Sequence, residues 1–317
     1  MTGFLLRRLG QSAVVVLGVT IITFVLTRLL PGGVARAILG TRASPVSIAE
    51  FNRDNGLDLP TWQQYLFYLN QLLHGNLGFS YRLNEGVGTL LGDHLPKTII
   101  LLGASTLLAL AIAVPLGIMQ AVRRNKVEDY FFTTLSFALY SMPTFWLGLI
   151  LIIFFSVDLN VLSPQGPQGD ISTYLDPEQL ASLVLPVVTL ALVTIALFSR
   201  YMRSSMLDNL VQDYVRTARA KGVSNTGVLY RHVLRNALIP IVTLLGLSLP
   251  GIFSGALIVE AIFNYPGMGL LFWDSARTRD FPVLLGVTLV VAVATVVGNL
   301  LADIGYAVVD PRVRITE

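Results

Sequence analysis

Few residues in this sequence have the type and spacing to do chemistry, and most of those argue against it. Carboxylates inside apolar runs occur at Glu260 and Asp303. An ion-coupled carrier needs embedded carboxylates or paired charges for its relay. Glu260 is expected near the outer end of its helix and Asp303 near the inner end of the next, so they make a poor relay. Both are read as capping or pairing groups. His74, His94 and His232 show no His-Glu-x-x-His or similar spacing, so no metal site is expected. The chain has no cysteine, which removes thiol catalysis, thiolate metal sites and a disulfide framework. No Ser/His/Asp grouping stands out, and no catalytic residue is assigned.

Phosphate chemistry is equally unsupported. A P-loop needs a glycine before its lysine so that backbone amides and the ammonium cradle phosphates. None of Lys97, Lys126 and Lys221 follows a glycine. In Gly92 to Thr98, Pro96 stands where that glycine would be and removes an amide. No cofactor is expected on this chain, and any ATP chemistry lies on another.

What remains is a basic cluster within Arg203–Asn236. Leu207, Leu210, Val211, Tyr214 and Ala218 follow helical spacing as one apolar stripe, with Asp208, Gln212, Arg216 and Arg219 on the other side. Gly222, followed by Ser224-Asn225, predicts the helix end, because glycine tolerates the left-handed cap. A second short helix is expected with Leu229 and Val233 spaced by four, leading into the next apolar run at Ala237. The segment reads as a helix–turn–helix hairpin projecting from a membrane, with a basic tip that could act as a lever. Composition fits a solvated basic loop that only sets topology equally well.

The elements that position this cluster follow from hydropathy. Of 317 residues, 54% are hydrophobic and 13% charged, and the mean hydropathy is +0.68. A net charge of +3 gives no case for nucleic acid. A crossing helix needs about 20 apolar residues. Runs of that kind are Leu9–Leu30, Thr98–Val122, Tyr130–Val157, Ala181–Met202, Ala237–Ile262 and Val283–Val309, predicting an all-α integral membrane protein with six spans. Arg7, Arg8, Arg123, Arg124, Lys126, Arg200, Arg203, Arg231, Arg235, Arg312 and Arg314 fall on one side with the basic cluster. The other side mixes Arg36, Arg42, Arg53, Arg82, Lys97, Arg277 and Arg279 with many acids. The first side is therefore expected to be cytoplasmic, with both termini. Arg7-Arg8 and Ala35-Arg36-Ala37 also fit a cleaved signal, but the apolar run exceeds the roughly 7–15 residues of a signal core. An uncleaved helix is expected.

Pro115, Pro143, Pro186, Pro240 and Pro250 lie in or beside the spans. Each removes a donor that lipid cannot replace. One such proline is an ordinary kink; five lean towards a transporter core. The long segment 31–97 is expected to form a small extracytoplasmic subdomain. Within it Thr61–Leu73 reads as an amphipathic helix, Tyr65, Leu69, Leu72 and Leu73 sharing a face, broken by Gly75-Asn76-Leu77-Gly78.

Asp213-Tyr214-Val215-Arg216-Thr217-Ala218-Arg219-Ala220-Lys221-Gly222, with Arg231-His232-Val233-Leu234-Arg235-Asn236-Ala237-Leu238-Ile239-Pro240, closely resembles the cytoplasmic loop of ATP-binding-cassette (ABC) importer permeases of the dipeptide/oligopeptide/nickel group. Arg216, Thr217 and Ala218 take the places of the general Glu-Ala-Ala motif and Gly222 that of its glycine. The resemblance extends to Phe4–Leu9, to Gly75–Ser80 (with Asn76 for an aspartate), to Glu260–Gly269 and to Asp310–Arg314. The long outer segment resembles the B-type subunit.

The resemblance implies a type I importer fold, divided as 1–30 (N-terminus and first span), 31–97 (outer subdomain), 98–309 (transporter core with hairpin 203–236) and 310–317 (cytoplasmic end). It implies a non-enzymatic transport subunit in a bacterial plasma (inner) membrane, moving di- or oligopeptides. The same machine importing nickel complexes or glutathione stays open, and a secondary transporter is the reading from another class. The implied partners are a C-type permease forming a heterodimer, ABC ATPase subunits carrying ATP and magnesium, an extracytoplasmic substrate-binding protein, and membrane lipid. The ATPase-coupling residues would be Arg216, Thr217, Ala218, Arg219, Lys221, Gly222, Ser224 and Asn225.

Overall fold

The computed structural model describes the backbone of residues 2–29, 33–40 and 43–309. In chain order come α1 (Thr2–Arg28), α2 (Gly33–Leu39), α3 (Pro45–Asp54) and α4 (Thr61–Leu73). A short antiparallel pair, β1 (Phe79–Ser80) and β2 (Glu85–Gly86), leads directly into α5 (Val87–Val122). Next are α6 (Val127–Ser141), α7 (Thr144–Ile152), a π turn (Ile153–Asp158) and α8 (Pro177–Leu210). The hairpin region comprises α9 (Asp213–Ala220), α10 (Asn225–Gly227), a second π turn (Val228–Val233) and α11 (Leu234–Ala237). The last three helices are α12 (Ile239–Ile262), α13 (Met268–Thr278) and α14 (Phe281–Val309).

Four helical stretches among the described residues are long and apolar enough to cross a membrane: Val87–Val122, Pro177–Leu210, Asn225–Gly246 and Phe281–Leu300. The expected single span Tyr130–Val157 is instead two helices, α6 and α7, bent by 104° at their junction. Pro143 explains the break, since it has no N–H and drives Met142 into an extended conformation at φ −78°, ψ 131°. Counted together the pair gives a fifth crossing. In α1 the apolar stretch Gly10–Leu26 is shorter than a full span. The chain is a multi-pass helical membrane protein, and the sixfold count is not reached among the described residues.

The chain divides into two compact units, Met1–Thr98 with Pro266–Leu300 and Ile99–Tyr265 with Leu301–Glu317. In the first, α4 packs on α1 through the Tyr65 and Tyr68 rings, 5.1 and 5.9 Å from the Phe24 ring. The Tyr65 hydroxyl also lies 2.9 Å from Thr20 Oγ1. Thr61–Leu73 is thus the helix its periodicity predicts, but its half-buried residues include Tyr65, Tyr68, Leu69 and Leu72, while Leu73 is 85% exposed. Leu73 is the last helical residue. Burial, with Tyr65 beside it, pushes the Tyr68 phenol up to about 12.

Gly75–Ser80 then makes a tight turn whose residues have visible jobs. Gly75 and Gly78 take φ of 74° and 96°, a region costly to other residues. Asn76 Oδ1 accepts from the Gly78 amide at 3.0 Å, as an aspartate would, so the Asn-for-Asp departure keeps the turn. Ser80 Oγ is fully buried, accepts from the Leu83 amide and donates to Asp280. A core of Val87, Leu90, Leu91, Met268, Leu271, Val283 and Val287 joins α5, α13 and α14.

The second unit has two cores. One, around Leu101, Leu185, Val259, Phe263 and Tyr265, holds α5, α8 and α12. Glu260 is fully buried beside it, and its backbone carbonyl accepts from the Tyr265 amide at 2.8 Å. The side chain of Asp303, and the segment Asp310–Arg314, lie outside the described residues. The other core runs from Ala109, Ala113 and Ile118 through Phe198, Met202 and Met206 to the hairpin. Gly117 lets α5 and α8 meet there: a Cβ at Gly117 would stand 2.6 Å from Met202 Cβ and 2.8 Å from the Ser199 carbonyl. Pro240 is not a break, since it sits in the first turn of α12, where its missing N–H is no loss.

Candidate functional site

The hairpin begins where α8 stops. The sequence suggests one stripe running on through Val211 and Tyr214, but Gln212 adopts φ −72°, ψ 152° and a new helix, α9, starts at Asp213. Val211 falls in the break and is 68% exposed. The break re-phases the helix, so Val215 and Ala218 rather than Val211 and Tyr214 take the buried face, at 0% and 5% exposure.

The turn after α9 is fixed by backbone bonds. Gly222 has φ +77°, its amide donating to Arg219 O at 2.9 Å, while the Val223 amide reaches Ala218 O at 3.2 Å. This pair of bonds is the Schellman termination, and Val223 closes over Ala218 in the same apolar core. A Cβ at Gly222 would meet nothing within 4 Å, so conformation alone calls for glycine there. Ser224 caps α10, its hydroxyl accepting from the Gly227 amide at 3.2 Å. The return leg is a π turn, in which i and i+5 share a face. Hence Val228 and Val233, at 1% and 0% exposure, are buried instead of the expected Leu229 and Val233 pair.

Two hydrogen bonds tie the hairpin to α8. Ser205 Oγ donates to Ala237 O at 2.9 Å, and the Tyr214 hydroxyl donates to Asn209 Oδ1 at 2.8 Å. The hairpin is therefore packed on its apolar face, not a free projection. Arg216, Thr217, Arg219, Lys221, Gly222, Ser224 and Asn225 are exposed on the other face, and Ala218 alone of the eight predicted residues is buried. Thr217 Oγ1 is turned back to Asp213 O at 3.0 Å. Arg216 pairs with Asp213 at 3.5 Å, both largely exposed, an arrangement worth at most about 1 kcal/mol. Among the described residues Arg219 and Lys221 have no ion pair. The outcome is a one-sided surface whose exposed face carries Arg216, Arg219 and Lys221, the last two without an ion pair among the described residues.

Sequence reasoning missed the group that steadies the base of this surface. Arg203 donates to both carboxylate oxygens of Asp129, at 2.7 and 2.8 Å, joining α8 to α6. Asp129 is 2% exposed and also accepts from the Asn125 amide at 3.0 Å, closing the α5–α6 turn. Paired guanidinium–carboxylate bonds of this kind are directional as well as strong. Thr133, 3.4 Å from Asp129, accepts from Gln120 Nε2 at 3.1 Å, extending the seam to α5. In sequence, Glu128-Asp129 reads as an ordinary acidic first turn; the one available signal is a carboxylate at a helix start flanked by basic inner segments.

Among the described residues no cluster of histidine or carboxylate side chains could hold a metal ion. Nothing in the hairpin resembles a catalytic grouping, and its exposed side chains are mostly polar or cationic.

Comparison with known proteins gives this geometry a context. Residues 113–315 match the family model "Binding-protein-dependent transport system inner membrane component", and residues 1–102 match its N-terminal companion. The chain is 41% identical to the oligopeptide transport system permease protein AppB of Bacillus subtilis, covering 99% of this chain and 100% of that one. It is 39% identical to the di/tripeptide transport system permease protein DppB of Pseudomonas aeruginosa, with 99% of each chain covered. The dipeptide transport system permease protein DppB of Escherichia coli K12 is 36% identical, again over 99% of each.

Proposed function

The chain belongs to the family of binding-protein-dependent transport system inner membrane components, and from that premise we propose that it is the B-type permease subunit of an ABC importer for di- and oligopeptides. It contributes half of the pathway. A second, C-type permease contributes the other half, two ATPase subunits or domains supply the energy, and an extracytoplasmic binding protein delivers the peptide. The chain is a transport subunit, not an enzyme, and ATP and magnesium belong to its partners.

In this reading α1, α5, the broken α6–α7 pair, α8, α12 and α14 are the six spans. Both termini and the hairpin face the cytoplasm of a bacterial plasma membrane, and residues 31–97 form the outer subdomain. Arg216, Thr217, Arg219, Lys221, Gly222, Ser224 and Asn225 meet the ATPase, while Ala218 secures the surface from behind. The observation that carries the coupling role is the hairpin's two-sidedness. Val215, Ala218, Val228 and Val233 are buried in the helical core, while Arg219 and Lys221 opposite them are exposed and without an ion pair among the described residues. A surface so fixed cannot be displaced without moving α8. Nucleotide-driven motion of a docked ATPase is thereby transmitted to the spans, provided that ATP favours one arrangement over the other.

The test is ATP hydrolysis by the reconstituted complex, with and without the peptide-loaded binding protein. Stimulation by the loaded protein is expected. A stable complex stimulated only by nickel- or glutathione-loaded protein would replace the substrate. Failure of the folded chain to assemble with any ATPase would overturn the whole assignment.

A further inference from the structure

The first unit contains two cavities that the coupling role leaves unused. One, about 470 Å³, is apolar over most of its wall, including Val34, Phe51, Phe67, Leu72, Leu285 and Leu289. The other, about 620 Å³, is bordered by Arg36, Arg82 and Arg279. Both fall within the roughly 300–1,000 Å³ of ligand sites. They adjoin, because Ile38, Tyr81 and Pro282 line both.

The second cavity carries a net positive charge, three arginines bordering it against one carboxylate, Asp280. None of its three exposed guanidiniums makes an ion pair or hydrogen bond with another described residue. The carboxylate on its wall, Asp280, is 6% exposed and already accepts from Ser80 Oγ. Arg28, by contrast, lines the apolar cavity and is committed, donating to Gln64 Oε1 and lying 3.6 Å over the Phe24 ring. The third cavity arginine is held at a conformational cost. Arg279 ends α13 with φ 58°, ψ 38°, the left-handed region that favours glycine or asparagine. Strain of this sort persists where a side chain is needed at that point.

We propose that the two cavities form one site for an anionic phospholipid, its phosphate held by Arg36, Arg82 and Arg279 and an acyl chain lodged in the apolar cavity. The walls include Phe24 and Arg28 from the last turns of the apolar helix α1, and Leu285 and Leu289 from the first turns of α14. These are the ends of the apolar stretches Gly10–Leu26 and Phe281–Leu300, where a headgroup and an acyl chain would meet. A free anion would use the arginines but not the apolar space; a purely apolar guest would leave three guanidiniums unanswered. Assignment to the outer leaflet rests on the orientation proposed above; the lipid chemistry does not.

The test is native mass spectrometry of the delipidated full chain in detergent, titrated with phosphatidylglycerol and, as neutral control, phosphatidylcholine. One phosphatidylglycerol per chain is expected to bind in preference to phosphatidylcholine. Arg279→Gly should weaken it about tenfold, the scale of one lost charge-assisted contact. Because glycine suits that φ, the variant is expected to keep or raise thermal stability, so the loss cannot be put down to unfolding. Val34→Trp, which fills the apolar cavity and spares the arginines, should also weaken phosphatidylglycerol. Unchanged binding in both variants would overturn the site. Glycerol phosphate binding as tightly as the lipid would overturn it in favour of a plain anion site. Loss of binding-protein docking in Arg279→Gly, with lipid retained, would overturn it by making the arginines a protein-docking face. Because the readout is lipid binding, failure here leaves the importer assignment standing, and failure of that assignment leaves the lipid result interpretable.

Discussion

The ends of α9 and α13 ask the same thing of the backbone and receive different residues. After α9 the left-handed position is Gly222, at φ +77°, exposed and with open space around it. At the end of α13 it is Arg279, at φ 58°. At the hairpin glycine serves the turn alone, and the exposed cations stand on regular helix or beside it, at Arg216, Arg219 and Lys221. The first unit has a guanidinium at the turn itself, on a residue held at a left-handed φ. One region is thus built for rigidity with its chemistry displayed on a surface. In the other, three exposed guanidiniums border a cavity.

This contrast can be broken most forcefully at Gly222. Gly222→Pro removes the amide that bonds Arg219 O and forbids φ +77°, costing the turn about 3 kcal/mol. Peptide uptake by proteoliposomes should fall to background while the ATPases still hydrolyse ATP. Wild-type uptake would refute the lever. Next in size is Asp129→Ala, which leaves Arg203 without its partner and should destabilise the chain by about 3 kcal/mol in thermal unfolding. Asp129→Ala with Arg203→Met should recover part of that loss, and absence of recovery would show that the pair is not what steadies α6 on α8.

Smaller effects test the comparison by sign. Gly222→Ala should lose about 1 kcal/mol, since the cost is conformational and no neighbour obstructs the methyl. Arg279→Gly should move the other way, gaining up to about 1 kcal/mol. If both substitutions destabilise equally, the two ends are not opposites. Smallest in stability, Arg219→Gln with Lys221→Gln should change unfolding by less than about 0.5 kcal/mol, yet abolish stimulation of ATP hydrolysis by loaded binding protein. Retained stimulation would remove these charges from the docking surface.

Much of this architecture is legible in the sequence because lipid imposes long apolar runs, and because Gly222, Gly75 and Gly78 mark turns that only their φ values explain. The α4 helix was readable from period alone, down to its ends at Thr61 and Leu73. What periodicity hid were the places where the helix changes phase. Gln212 resets the register between α8 and α9, the π turn at Val228–Val233 converts spacing of four into spacing of five, and Pro143 turns one run into two helices. None of these changes alters the composition of its run. The Asp129–Arg203 clasp was hidden for another reason. Its members are 74 positions apart, and each alone has an ordinary local reading, a helix-start acid and an inner basic residue. The two cavities of the first unit were illegible because three arginines from three elements converge only in the folded unit.

The account's central claim is that one face of the hairpin docks on the ATPase while the other is sealed in the core. The chain has no cysteine, so a single introduced thiol reports on one position of it alone. Lys221→Cys on the exposed face and Ala218→Cys on the buried face, each in the assembled complex, would be treated with a short thiol cross-linker. The account predicts an ATP-sensitive cross-link to the ATPase from Lys221→Cys and none from Ala218→Cys. Absence of the Lys221→Cys cross-link in a complex that still transports peptide would contradict it.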